Sequence, residues 1–463
     1  MILFCFMWAF LIVSVAGKWS MLFTDFAIVG AGLAGCECAL ALAAHGFSVT
    51  LFEQKPLARS AAHVSDDLAE LVCSNSLRSD DPQSAVGMLK KEMRLLGSEV
   101  MAVADLTRVP ADRALAVDRL AFSRELTRRI NAEPAINLVN REIQSIDEEI
   151  LATFGRKGVI IAAGPLAGDS LAASLAAATG SDYCYFYDAI APIIWTDTLD
   201  MGIIFRASRH DPGGGDYLNA PMNREEYERF YSELCAGKTF KAREFEKERH
   251  FEGCMPIEAL AARGPKTLSF GPLKPVGFID PRTGRRPWAV LQLRAEQGSF
   301  DTCNLVGCQT KLLQGEQKRI FRLVPGLEQA EFVRFGSIHR NTYVNAPGVL
   351  NPDLSLAGRP GIYLAGQITG VEGYVESAAC GLWLGLSLAA RANGRELGHP
   401  PPESALGALL AHLRNPARDY QPSNVNFGLM PPLEEKMRKK DRKSIYAARG
   451  ERAFANWMCA ARP

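Results

Sequence analysis

The chain has 463 residues, long enough for two or three domains. Hydrophobic residues make up 48% and charged residues 22%, a balance that excludes a disordered chain and allows sizeable buried cores. Formal net charge is +1, so no global field draws in nucleic acid, and a polyanion has to be held by local basic patches. The eleven cysteines are scattered, with no C-x-x-C pair and no metal-ligand spacing. That pattern points to reduced, mostly buried thiols in a cytoplasmic protein, without a disulfide framework or a bound metal.

Residues 1–17 read MILFCFMWAFLIVSVAG and carry no charge. They lack the basic start of an export signal, and Gly17, Lys18 and Ser20 break the run short of the about 20 apolar residues a membrane helix needs. Residues 1–20 are therefore expected to be a dispensable extension, with the fold beginning at Met21. Phe26-Ala27-Ile28-Val29 then reads as a short buried parallel strand. Gly30, Ala31, Gly32, Leu33, Ala34 and Gly35 follow at G-x-G-x-x-G spacing and open an Ala/Leu-rich helix, and a second strand over 47–52 ends on Glu53. Each part suits a dinucleotide. Gly30 permits the tight turn, Gly32 lets the backbone approach a pyrophosphate, and Gly35 lets the helix lie close to the strand. The pyrophosphate faces the positive end of the helix, and Glu53 is placed to accept a ribose hydroxyl.

Further along, residues 73–79 read as a polar loop that sets the Cys73 thiol among hydroxyls and amides. Helical periodicity covers 84–96 and 118–130, and strands are expected at 136–139 and 142–146. A buried strand over 158–163 ends in Gly164 and Pro165, where backbone can lie against a ligand. A matching late element runs through Gly366, Gln367, Gly370 and Gly373 into a small-residue helix over about 377–392, forming a second anion- or flavin-facing turn. Two such turns so far apart imply one nucleotide domain, 21–188 and 335–463, with an inserted domain at 189–334. Within the insertion a helix face is expected around 227–234, and strands near 271–275 and 288–293. The basic run over 434–452 suits a solvated helix face or, in a nucleic-acid enzyme, a phosphate contact.

Ten blocks in this chain resemble one family in order. They include GAGLAG at 30–35, AELVCSNSLRS at 69–79, ALAVDR at 114–119, YFYDAIAPII at 185–194, FEGCMPIE at 251–258, HRNTYVN at 339–345 and AGQITGVEGYVESAACGL at 365–382. The set is similar to the folate- and FAD-dependent tRNA (uracil-5-)-methyltransferases. The resemblance implies an α/β fold, a Rossmann-like FAD-binding domain of the glutathione-reductase type with an inserted α+β domain. It also implies synthesis of 5-methyluridine 54 in the tRNA T-loop from 5,10-methylenetetrahydrofolate, with FAD reduced by NADPH or NADH.

The chemistry gives those blocks a purpose. C5 of uracil is a poor nucleophile until a thiolate adds at C6, and a base must later remove the C5 proton. Cys254 and Cys73 stand where the family has its two functional thiols, which implies Cys254 as the C6 nucleophile and Cys73 as the base or as a handler of the transferred methylene. Cys36, Cys38, Cys184, Cys303 and Cys380 are expected to be inert core thiols. His339, Arg340 and Asn341 are expected to border the folate and flavin. Two rivals are a GidA-type flavoprotein acting elsewhere on tRNA and a membrane-tethered NADH-linked flavoprotein with no RNA substrate.

Overall fold

The computed structural model describes residues 13–15, 18–20, 23–60, 62–180, 184–210, 215–240, 255–416, 420–434, 438 and 441–461. At its centre lies a five-stranded parallel sheet ordered Ile362–Leu364, Gly158–Ile161, Phe26–Val29, Val49–Glu53 and Ile136–Asn140. Every residue of Phe26–Val29 and Val49–Glu53 is buried. This is why both read as unbroken apolar runs: a parallel strand covered on both faces has no solvent side to alternate with. The helix Leu33–Ala44, which follows the first glycine turn, packs against the helix Tyr374–Ala392, which follows the late one. Glycine makes that approach possible. A Cβ at Gly381 would lie 2.2 Å from the Ala34 carbonyl oxygen, and one at Gly385 would lie 3.0 Å from that of Cys38.

Two strands, Cys184–Ile190 and Ser337–Tyr343, form an antiparallel ladder running from Cys184↔Tyr343 to Ile190↔Ser337. Between them in sequence lies a second, wholly antiparallel sheet of six strands. Its order is Phe205–Ala207, Tyr217–Met222, Ala289–Ala295, Thr302–Leu305, Ile193–Trp195 and Phe332–Arg334. The helices Arg224–Ala236 and Gln314–Phe321 close this second core through Phe230 and Phe321. The fold is thus α/β with a parallel nucleotide-binding-type sheet and a mixed α+β lobe. Among the described residues no helix is long and apolar enough to cross a membrane.

Several expectations need correction. Residues 76–79 are a strand rather than loop, pairing with Ala114–Val117 through a register shift. The expected strand at 142–146 is absent because the Glu148 carboxylate accepts the Gln144 and Ser145 N–H groups and turns the chain. Ile143 and Ile146 are buried by this turn, without a ladder. Residues 271–275 form a turn after the short helix Thr267–Phe270, so only the strand Ala289–Ala295 is present there. The late helix begins at Tyr374, three residues before the expected Ser377, because Gly373 at φ +111° ends the preceding turn. Ahead of the first sheet strand, Val13–Val15 and Lys18–Ser20 pair as a short hairpin.

Candidate functional site

Two adjoining clefts meet where the parallel strands end, the edge at which α/β sheets of this kind bind ligands. The first encloses roughly 1090 Å³, mouth included, and is lined by Gly30, Ala31, Gly32, Leu33, Ala34, Glu53, Gly164, Gly366 and Gln367 among others. Its turn is sterically demanding. A Cβ at Gly30 would meet the Ala162 oxygen at 2.6 Å, and one at Gly35 would meet the Gly30 oxygen at 1.9 Å. Gly32 differs, because a side chain there would meet no protein atom within 4 Å and would intrude on the cleft itself. Behind Gly32 the helix Leu33–Ala44 carries no acid in its first turn, so its positive end stays free for an anion.

The Glu53 carboxylate accepts the Ala31 N–H at 2.9 Å and the Lys55 N–H at 3.0 Å. A carboxylate has about four acceptor positions, so capacity remains for a hydroxyl ligand. Gly35 lies beneath the turn rather than in the cleft wall. Gly370, at φ +94°, is a packing glycine, because a Cβ there would meet the Tyr420 hydroxyl at 2.4 Å. Gly373 lines the second cleft. An open glycine turn, an uncapped helix start and a strand-end acid together fit a dinucleotide.

The second cleft, roughly 1020 Å³, shares Val72, Pro165, Leu166, Gln367 and Tyr374 with the first and adds Cys73, Asp188, His339, Asn341 and Glu372. Cys73 is half-buried in its wall. Burial pushes its thiol up to about 12, and Asp188 adds to the rise, while Tyr374 and Arg119 oppose it. The Tyr374 hydroxyl lies 2.8 Å from the Cys73 sulfur. Burial and then Asp188 also hold the Glu372 carboxyl well above the usual carboxylate range, although Gln367 donates to it at 2.6 Å. Burial, reinforced by Arg334 and His63, lowers His339 to about 4, so its ring is neutral; its Nε2 pairs with the Ser337 hydroxyl at 2.9 Å. A neutral flat ring in a cleft wall is suited to stacking on another flat ring.

The segment carrying Cys73 is held from three sides. Arg119 donates to the Leu71 carbonyl at 2.7 Å and Arg334 to that of Val72 at 3.1 Å. Arg294, buried in the second sheet, donates to the Ser74 hydroxyl at 2.7 Å and to the Asn75 amide oxygen at 2.8 Å. Asn75, itself fully buried, donates to the carbonyls of Val117 and Ala295.

Cys73, His339 and Asn341 therefore meet in one cleft, beside the glycine turns. Arg340 pairs through its backbone with Tyr187, and its side chain lies outside the described residues. Cys254 also lies outside the described residues, which resume at Met255. Cys36, Cys38, Cys303 and Cys380 are buried with raised thiol values, as core thiols should be. The Cys184 side chain is outside the described residues. Sequence reasoning passed over Tyr374, Asp188, Glu372, Arg119 and Arg294. Four of these stand inside or beside the quoted motif blocks, but only the fold shows that they surround one sulfur.

Residues 25–396 match the model of the family described as Glucose inhibited division protein A. The chain is similar to the methylenetetrahydrofolate–tRNA-(uracil-5-)-methyltransferase TrmFO of Nitratidesulfovibrio vulgaris, with 62% identity over 440 residues, 95% of this chain and 92% of that one. The protein of the same name from Lawsonia intracellularis is 55% identical over 435 residues, 94% of this chain and 97% of that one. Among solved structures, Aquifex aeolicus GidA superposes with a TM-score of 0.67 at 16% identity over 95% of this chain and 74% of that one, a likeness of fold.

Proposed function

We propose, from the premise that this chain belongs to the TrmFO family of methylenetetrahydrofolate–tRNA-(uracil-5-)-methyltransferases, that it methylates uridine 54 at C5 in the T-loop of tRNA. The carbon comes from 5,10-methylenetetrahydrofolate, the reductant is FAD recharged by NADPH or NADH, and tRNA is engaged at its T-arm. The observation that carries this reading is the 62% identity along 95% of the chain to a relative of that name. On the same reading residues 21–188 and 335–463 are the FAD-binding domain, 189–334 is the inserted domain, and the enzyme works in the cytoplasm.

The residues present fit FAD: Gly30 to Gly35 would cradle its pyrophosphate, Glu53 its ribose, and Gly164, Gly366 and Gln367 the chain between its halves. Bound FAD, once reduced by NADPH or NADH, would supply the two electrons, as hydride, that convert a transferred methylene into a methyl group. The protein's own work is acid–base and nucleophilic. Cys254 forms a bond from its sulfur to C6, and the C5–C6 electron pair becomes an enolate whose C5 attacks the folate methylene. Cys73, as thiolate, takes the C5 proton, and the freed electron pair expels the folate nitrogen from the transferred carbon, leaving an exocyclic methylene. Hydride addition to that carbon re-forms the C5–C6 double bond and expels the Cys254 sulfur as thiolate. His339, neutral in the cleft wall, would stack on the pteridine, with Asn341 and Arg340 bordering it.

The test is mass spectrometry of nucleosides from unmodified tRNA incubated with the protein, methylenetetrahydrofolate and NADPH. 5-Methyluridine confined to position 54 is the expected product; a wobble-position product would move the reading to the GidA type. No RNA product alongside rapid NADH oxidation by small acceptors would favour a flavoprotein without an RNA substrate.

A further inference from the structure

We propose that the Tyr374 hydroxyl donates its proton in a hydrogen bond to the Cys73 sulfur and thereby sets how readily that thiol ionises. The inference begins with counting bonds at one oxygen. A phenol has one proton to give and two lone pairs to accept with. The backbone N–H groups of Cys73, at 2.8 Å, and Ser74, at 3.3 Å, both donate to the Tyr374 oxygen and occupy its acceptor side. Its own proton is left facing the Cys73 sulfur at 2.8 Å, the one hydrogen bond to that sulfur among the described residues. The sulfur is therefore an acceptor from Tyr374, and the thiol's own proton is directed away from it.

The surroundings make that bond consequential. Asp188, on the strand Cys184–Ile190, and Glu372, in the turn before the late helix, disfavour a thiolate, and burial disfavours it more. Arg119, on the helix Arg119–Ala132, favours it. Arg78, Arg334 and His339 stand around the same corner, and His339 is neutral. Tyr374 is also the first residue of a 19-residue helix, so the positive helix end lies at this corner. A neutral donor in direct contact with a half-desolvated sulfur strengthens as charge develops on it, which is where hydrogen bonds to ions exceed neutral ones.

A bland alternative is that Tyr374 merely staples the segment in place. Arg119, Arg334 and Arg294 already hold that segment at Leu71, Val72, Ser74 and Asn75 without Tyr374. Removing one hydroxyl should change the sulfur's chemistry far more than its position.

The experiment is iodoacetamide alkylation of the FAD-bound protein over about pH 7 to 10, with each cysteine followed by peptide mass spectrometry. Cys235 and Cys459, both exposed, serve as internal controls. In Tyr374→Phe the Cys73 profile should move up by about one to two pH units, so that alkylation at a fixed pH slows roughly 10- to 100-fold. The controls should not move. Protein carrying 3,5-difluorotyrosine at position 374, a more acidic donor, should move the profile the opposite way, a result that loosened packing does not produce. That protein also decides the matter if Tyr374→Phe fails to fold. An unmoved Cys73 profile with difluorotyrosine, or shifts shared with Cys235 and Cys459, would overturn the inference. The consequence for methyl transfer rests on Cys73 being the base. A wild-type enzyme that makes no 5-methyluridine sinks that role while leaving the alkylation result intact.

Discussion

Replacing Gly381 by alanine should loosen the protein at its cofactor cleft, because this glycine sits where the two cleft-forming helices touch. The added Cβ would lie 2.2 Å from the Ala34 carbonyl oxygen and 2.8 Å from the Ala34 carbonyl carbon. Ordinary C···O contacts are about 3.3–3.6 Å, so roughly 1.2 Å must be found between two backbones. Overpacking costs about 1–3 kcal/mol where side chains yield, and here only backbone can move, which places the cost near about 3. Alanine's better helix propensity returns about 1, leaving a net loss of about 2 kcal/mol. At about 2–4 °C per kcal/mol for a large domain, the melting temperature should fall by roughly 4–8 °C. Ala34 also lies against Gly366, whose own Cβ position is 2.7 Å from the Ala34 Cβ, so separating the helices misaligns both glycine turns. FAD affinity, measured by fluorescence titration, should drop at least tenfold, since misplacement of binding groups by about 1 Å is severely felt. Gly315→Ala is the control: no atom lies within 4 Å of its Cβ position, and a helical alanine there should be neutral or stabilising. Wild-type melting and flavin binding in Gly381→Ala would refute the reasoning.

Gly32→Val should purify largely as colourless apoprotein, because a side chain there occupies the cleft rather than clashing with protein; full flavin occupancy by absorbance would count against the pyrophosphate site. Cys254→Ala should form no covalent adduct with 5-fluorouridine RNA, whereas Cys73→Ala should still be trapped, since C6 attack precedes proton removal. Gel-shift under denaturing conditions reads both, and the reverse pattern would exchange the two roles. His339, lowered from 6.5 to about 4 by burial, takes up its proton in the unfolded chain before it does so in the folded one. Stability from this residue is therefore complete above about pH 6.5 and lost as pH falls towards 4, by about 3 kcal/mol in all. Urea midpoints at pH 7 and 4.5 should lie closer together in His339→Gln than in wild type, and an unchanged gap would contradict a neutral buried ring.

The glycine-turn half of the candidate site was legible because it is local. Strand, glycine turn, helix and acid all fall within 26–53, and each has a backbone requirement that only particular residues meet, as the 1.9 Å approach at Gly35 shows. The thiol half was legible only as a list. Cys73 and Tyr374 are 301 residues apart, and no periodicity relates them. The strand errors have the same origin in reverse. Glu142 to Ile146 has strand-like composition, yet one carboxylate four residues on captures the N–H groups a ladder would need. At Gly271 to Pro275, glycine and proline signal a turn, and that local signal outweighed the apolar residues between them.

The placement of Cys73 follows from what holds it. Burying Arg294 and Asn75 is costly unless every polar atom is partnered, and their partners come from different segments: Ser74 from the segment carrying Cys73, Val117 from the strand Ala114–Val117, and Ala295 from the six-stranded sheet. The Arg119–Glu296 ion pair, at 2.7 Å and almost fully buried, spans the same seam. Deleting one partner of this network by mutation, with the lobes still packed, would leave a buried charge unpaired at a cost of about 3–5 kcal/mol. The segment carrying Cys73 is therefore a joint property of the two lobes, and so is its distance from Tyr374. Burial raises the Cys73 thiol to about 12 in the protein as it stands. Its activation falls to the donors this seam brings to the sulfur and to the charge a ligand carries into the shared cleft.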